Sequence, residues 1–364
     1  STRVRSSAAS DVYKRQHMIL KIAIADTNEE YVKRILSVLE EYEDLNLSVF
    51  TDENTLEQAL MSQKFDVLLF DASAYDGHAD GGKRFLPILL LDETQGVASQ
   101  FQKTKKIRKY QRISKIYQQI LEVYAEVCGD TGVVAGQKKT SVIAVYSPVG
   151  GAGKTTTALC AATKYAVQGL RCLYLGLEDI GSEECYLPGS DVRGVSEIAA
   201  CLGENMNFTM KIQSLLQTGQ NNLFYLNHFE SPNDVYELST EDLKELMEVF
   251  EKSGLFDVIV VDMSCSMDAK AQVVFELADR IVVVEKTDRI ASAKMTGFLN
   301  QMHIINAYGK KMVRLLNFYT GRESTVPSEI PVIGRINVAQ NPEPGQFIAA
   351  AAQDACSNCL LQLL

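Results

Sequence analysis

Ser147-Pro148-Val149-Gly150-Gly151-Ala152-Gly153-Lys154-Thr155-Thr156 decides how this chain is read. The stretch follows a β-branched apolar run, Ser141-Val142-Ile143-Ala144-Val145-Tyr146, and opens onto an alanine-rich segment of helical character. A buried strand, a glycine loop, Lys-Thr and a helix, in that order, make a phosphate cradle. Glycines let successive backbone N–H groups turn toward one anion, and the helix N-terminus adds its partial positive charge. In such a loop Lys154 reaches the β/γ-phosphates and the Thr155 hydroxyl ligates Mg²⁺. The spacing departs from G-x-x-x-x-G-K-[ST]: Pro148 stands where the first glycine belongs, and the doublet Gly150-Gly151 lies inside the loop. Holding the magnesium shell takes a carboxylate as well. Phe256-Asp257-Val258-Ile259-Val260-Val261-Asp262, an apolar strand ending in an acid, supplies Asp262.

Outward from this loop, strand candidates recur at 141–146, 171–177, 222–227, 256–262, 280–285, 312–318 and 332–336, with helical patterns at 153–168, 239–253, 268–278 and 291–305. Continuous apolar strands separated by helices predict a parallel sheet covered on both faces, with ligands at the carboxyl ends of its strands. Ahead of it, 19–25, 47–50, 67–71, 85–91 and 107–110 read as five more strands, with helices at 28–42, 56–61 and 111–127. The fold class is therefore α/β, two doubly wound parallel-sheet domains. Expected boundaries are 17–128, a glycine-rich polar linker at 129–140, and 141–364. Ser6 to Gln16 resembles the translation of a sequencing adapter, so residues 1–16 are expected to be a non-native leader and Met18 the native start.

A length of 364 residues with 46% hydrophobic side chains is ample for two cores. The net charge of −10 disfavours non-specific nucleic-acid binding, and no specific nucleic acid is expected as a partner. No apolar run reaches the length of a spanning helix, so no transmembrane segment is expected. The eight cysteines are scattered, several inside apolar runs, which suits a reducing cytoplasmic compartment. Cys356 and Cys359 sit at core-like spacing beside Leu360 and Leu361, and the histidines at 17, 78, 228 and 303 have no ligand spacing. Residues 346–364 carry no Lys or Arg, unlike a basic amphipathic membrane anchor.

Gly150-Gly151-Ala152-Gly153-Lys154-Thr155-Thr156 resembles the deviant Walker A motif, K-G-G-x-G-K-[ST], of the MinD/ParA group of dimeric ATPases. Leu315-Leu316-Asn317 resembles that group's strand ending in an adenine-contacting Asn, and Ile330-Pro331-Val332-Ile333-Gly334-Arg335-Ile336 its late P-x-x-G-x-I segment. The resemblance implies ATP and Mg²⁺ as cofactors. It places nucleotide contacts at Gly150, Gly151, Ala152, Gly153, Lys154, Thr155, Thr156 and Asn317, and metal contacts at Thr155 and Asp262. A degenerate receiver-like domain ahead of such an ATPase is similar to the TadZ/CpaE family, which positions Tad/Flp-type pilus-assembly machinery at the cell pole. That layout implies a homodimer, pilus-assembly or other polar machinery partners reached through the N-terminal domain, and a cytoplasmic protein that is polar or peripheral to the inner face of the membrane. The alternative is a MinD/ParA-like cycling ATPase that positions division, flagellar or plasmid machinery.

Two departures bear on catalysis. The family's signature lysine is Val149 here, and its strand-two Asp is Gly176, with Glu178 two residues on. Glu178 either substitutes for that acid as a catalytic residue beside Lys154 or is a solvated acid after a strand. Losing one preorganised charge of this kind costs about 10²–10³ in rate, so strong ATP·Mg²⁺ binding with slow or absent hydrolysis is expected. In the first domain, Asp26, Asp71 and Lys109 stand at strand ends as in a receiver. One acid of the usual pair is missing, and Asp92 takes the hydroxyl position. The short interval after Asp71 predicts a reduced or lost helix. A phosphorylation-independent docking module is expected. From Lys103 to Lys115 there are seven basic residues and no acidic ones, a solvated edge or a contact surface.

Overall fold

The structure, a computed structural model, describes residues 19–42, 44–75, 85–92, 99–128, 139–187, 194–219, 223–337, 346, 350 and 355–364. Contacts divide the chain into two units, Ser1–Gly132 with Asn205–Ser214, and Val133–Glu204 with Leu215–Leu364.

The first unit runs β1 (Leu20–Ala25), α1 (Glu29–Leu39), β2 (Leu45–Phe50), α2 (Glu53–Ser62), β3 (Val67–Phe70), β4 (Leu86–Leu91), β5 (Lys105–Arg108) and α3 (Ile113–Cys128). Its five strands lie in the order β2-β1-β3-β4-β5, and each neighbouring pair is parallel. The central strands are apolar along their length because both faces are covered: every residue of β3 is buried, and so is all of β1 except Lys21. Helix starts are set by short polar caps. Asn28 accepts from the Tyr31 N–H and Asp52 from the Thr55 N–H, each satisfying a donor the first turn leaves over. Val32, Ile35 and Leu39 form the buried stripe of α1. The interval after Asp71 falls largely on residues 76–84, outside the described residues, as do 129–138 of the linker. Of the basic run, Lys103, Lys105, Lys106, Arg108, Arg112 and Lys115 are exposed, and Lys105 pairs with Glu126 at 2.6 Å. Asn205–Ser214, distant in sequence, belongs to this unit. The Asn207 N–H donates to the Ala125 carbonyl at 3.2 Å, and buried Lys211 pairs with Glu122 at 3.2 Å.

The second unit begins β6 (Ser141–Tyr146), α4 (Lys154–Val167), β7 (Cys172–Leu177) and α5 (Val195–Ala199); the chain then passes through α6 (Phe208–Leu215), whose residues up to Ser214 belong to the first unit, and returns with β8 (Gln217–Thr218) and β9 (Leu223–Tyr225). It continues α7 (Pro232–Glu237), α8 (Thr240–Lys252), β10 (Val258–Met263), α9 (Ala269–Leu277), β11 (Arg280–Glu285), α10 (Arg289–Leu299), α11 (Met302–Tyr308), β12 (Met312–Tyr319) and β13 (Val332–Asn337), and ends in a 3₁₀ helix, Ala355–Leu363. The sheet order is β13-β12-β11-β6-β10-β7-β9-β8, parallel except for the antiparallel pair β8–β9. The chain leaves β6 toward β7 on one side and reaches β11 on the other, so the glycine loop lies where the winding reverses, the usual ligand crevice of such sheets.

The helix expected over 291–305 is two, α10 and α11, broken at residues 300–301. The C-terminal segment is 3₁₀ and packs on the second unit's core. Leu360 is fully buried, the Tyr165 hydroxyl donates to the Leu360 carbonyl at 2.5 Å, and Lys164 Nζ donates to Asn358 Oδ1 at 2.8 Å. Cys359 is buried, so close to β13 that a Cβ on Gly334 would stand 2.2 Å from its Sγ. No helix among the described residues is long and apolar enough to cross a membrane.

Candidate functional site

The glycine loop joins β6 to α4, and its conformation needs glycine at two points. Gly151 has φ +65 and Gly153 φ +85, in the left-handed region that costs other L-residues roughly 1–2 kcal/mol. At Gly153 a Cβ would also stand 2.2 Å from Asn317 Nδ2. Asn317, near the end of β12, reaches across to the loop and donates from Nδ2 to the Ala152 carbonyl at 2.9 Å. Phe318, next along β12, is the one described non-glycine residue with positive φ (52). Its ring is 38% exposed and lies under Lys286 Nζ at 5.7 Å.

Three adjacent parallel strands, β6, β10 and β7, deliver the charged groups. Register sets Asp262 on β10 beside Val145 on β6 and Gly176 on β7. Lys154 and Thr155 open α4 behind β6, and Glu178 follows β7. Lys154, only 7% exposed, has its Nζ 3.1 Å from Glu178 Oε1, while the Thr155 hydroxyl donates to Glu178 Oε2 at 3.3 Å. One carboxylate thus spans the lysine and the hydroxyl of the cradle. Asp262 is almost fully buried and accepts from the Tyr174 hydroxyl at 2.9 Å through Oδ2, whereas its Oδ1 is buried without a hydrogen-bond partner. Burial, then the nearby Glu178 charge, pushes the Asp262 carboxyl up to about 7, against the Thr155 and Tyr174 hydroxyls and Lys154, which favour its ionised form.

These residues fit a magnesium–nucleotide group. The orphaned Asp262 Oδ1 has the acceptor capacity a cation or its water ligand would satisfy, and Thr155 supplies a hydroxyl beside it. Among the described residues no three His, Cys, Asp or Glu gather in metal-ligating geometry. Mg²⁺ asks of the protein only one or two carboxylates together with phosphates. Gly150 and Thr156 lie on the loop and the first turn of α4, without side-chain contacts that assign them a role.

Val149, where the signature lysine would stand, is 7% exposed and packs into the apolar core with Val145, Ala152 and Leu159. Tyr174 is a site residue that the sequence does not mark, because its contact with Asp262 depends on β7 lying beside β10. Also unforeseen is the buried pair of Glu285, ending β11, with Arg314 on β12, whose nitrogens approach Oε2 at 2.8 and 2.9 Å while Ser324 bridges both partners. An arginine interrupting an apolar strand was its sequence mark.

In the first unit, the strand ends bring Asp26, Asp71 and Lys109 together. Lys109 Nζ lies 2.7 Å from Asp26 Oδ2 and 2.6 Å from Asp71 Oδ2, with all three side chains buried. Asp71 Oδ1 accepts from the Ser73 N–H (2.9 Å) and hydroxyl (2.6 Å), and Asp26 Oδ1 from the Asn28 N–H (2.8 Å). Tyr31 faces the ammonium at 5.0 Å and donates its hydroxyl to the Lys109 carbonyl at 3.0 Å. Burial alone would raise the Asp71 carboxyl, but hydrogen bonds from Lys109 and Ser73 and the Lys109 charge hold it below the ordinary carboxylate range.

The strand order and glycine loop of the second unit define an α/β class of P-loop fold. Among solved structures, a ParA family ATPase from Chlorobium tepidum TLS superposes with a TM-score of 0.52 at 15% identity, covering 62% of this chain and 97% of that one. The septum site-determining protein MinD complexed with Mg-ADP from Pyrococcus horikoshii OT3 gives 0.48 at 15% identity, covering 62% and 94%. At such identity the likeness is one of fold, and that fold is ParA-type. Residues 18–125 match the family model described as TadZ-like, receiver domain. A TadZ-like receiver ahead of a ParA-type ATPase fold matches the layout of TadZ/CpaE-type proteins. No curated protein matches this sequence.

Proposed function

We propose that this protein is an ATP·Mg²⁺-binding spatial organiser that dimerises and localises Tad/Flp-type pilus-assembly machinery, with hydrolysis slow or absent. The single observation that carries the reading is a cradle complete for binding beside a signature position, Val149, packed into the core. Lys154 would neutralise phosphate charge, the loop N–H groups of residues 150–154 would receive the anion, and Asn317 holds the Ala152 carbonyl and so fixes the loop. Thr155 and Asp262 would hold Mg²⁺, which would offset phosphate charge. Val149 offers no ammonium to stabilise charge in the cleavage step, and Gly176 no carboxylate to orient the attacking water, so these two positions lack the groups that relatives use for cleavage. The TadZ-like receiver match supports the pilus assignment, with the first unit as a docking module for machinery proteins.

Purified full-length chain tests this by equilibrium nucleotide binding, phosphate release and light-scattering mass with and without ATP·Mg²⁺. The expected result is nucleotide binding that Lys154→Ala weakens by about 10–100-fold, as loss of a hydrogen-bonded charge does, together with dimer mass and little turnover. Turnover at the rate of an ordinary ATPase, abolished by Lys154→Ala, overturns the organiser reading in favour of a cycling enzyme.

A further inference from the structure

Glu178 is the anion the cradle holds. Its two oxygens engage Lys154 Nζ at 3.1 Å and the Thr155 hydroxyl at 3.3 Å, the groups a phosphate and its metal would engage. Lys154 is buried, so its charge is balanced by this partner rather than by water. The neighbouring acid, Asp262, is buried as well, and position 149 contributes a packed valine in place of a cation.

We propose that Glu178 is a carboxylate latch on the cradle. A polyphosphate enters by exchanging for it at Lys154 and Thr155, and enters effectively only as its complex with a divalent cation. The exchange leaves Glu178 and Asp262 facing a polyanion, with Lys154, which the structure pairs with Glu178, as the nearby cation, and like charges close together in a partly buried site repel strongly. A divalent cation arriving with the phosphates offsets that repulsion. Without one, the internal carboxylate outcompetes the phosphate. Glu178 is therefore a positioning residue that makes nucleotide affinity depend on metal, a role separate from that of a catalytic acid. The inference rests on the nucleotide-binding reading above.

The test is titration of the full-length chain with a fluorescent ADP analogue, in excess chelator and in excess Mg²⁺, for wild type, Glu178→Gln and Lys154→Ala. Glu178→Gln removes the charge at constant size. It is expected to bind the metal-free analogue about tenfold tighter than wild type, so that the gain in affinity on adding Mg²⁺ shrinks. Glu178→Ala carries the same expectation should the amide variant not fold. Metal-free affinities of wild type and variant within twofold overturn the latch. So does weaker binding by the variant in both conditions, which would make Glu178 a nucleotide ligand. If wild type fails to bind the analogue even with Mg²⁺, the nucleotide-binding reading falls and the latch with it. If wild type binds and only the variant comparison fails, the latch alone falls.

Discussion

Val149 packs into the core, and lysine there would bury its stem at the expense of tight apolar contacts. Val149→Lys is expected to destabilise by about 1–3 kcal/mol, read as a lower melting temperature, without raising phosphate release; a gain of turnover would mean the position is freer than its packing. Lys109 is the counterpart in the first unit. Lys109→Met strips the counter-charge from two buried carboxylates and is expected to cost about 3–5 kcal/mol in denaturant unfolding. The sign of the pH dependence follows from the shifts. Asp71 is held low, so its contribution is present above the ordinary carboxylate pKa and is lost as pH falls through the lowered value. Lys109 is raised: burial lowers it, but hydrogen bonds and charge from Asp26 and Asp71 prevail, so its contribution is lost only as pH rises past the ordinary lysine range. Wild type should therefore lose more stability than Lys109→Met on acidification below about pH 4.

At the scale of elements, the terminal 3₁₀ helix braces α4, the helix that opens with Lys154. Leu360→Ala is expected to cost about 2–5 kcal/mol by cavity formation, and Tyr165→Phe about 1 kcal/mol by loss of one hydrogen bond, both measured by denaturant unfolding. The strands were legible because covered parallel strands are unbroken apolar runs: β6, β10 and β11 lie within about two residues of their expected places. The helices left unread are short. α7 announces itself only through Ser231-Pro232 and a capping box closed by Asp234. The break between α10 and α11 falls at Asn300-Gln301, with no proline or glycine to mark it. The candidate site was legible where backbone conformation demands particular residues, as at Gly153. Tyr174, whose role depends on which strand lies beside it, was not.

For the whole molecule, each unit has its own sheet and core, and the proposed nucleotide site lies in the second. At about a hundred times its dissociation constant, ATP·Mg²⁺ is expected to stabilise the folded unit by about 2.7 kcal/mol. For a unit of this size, that is roughly 5–10 °C. Calorimetry is expected to show the transition of the second unit moving up by that amount while the first stays fixed; equal movement of both would mean they melt as one. What the sequence withheld at this scale was strand order, since nothing local says that β10, late in the chain, inserts between β6 and β7.

Between the end of β7 and the first residue of α4 lies a gap that one side chain spans: the carboxylate of Glu178 reaches Lys154 Nζ at 3.1 Å. Glutamate is one methylene longer than aspartate, about 1.5 Å of extra reach. Chain length as well as charge therefore decides whether residue 178 closes the gap. Shortening it to aspartate would keep the negative charge near the cradle and remove the grip, so the two attributes of one side chain can be separated by a single carbon atom.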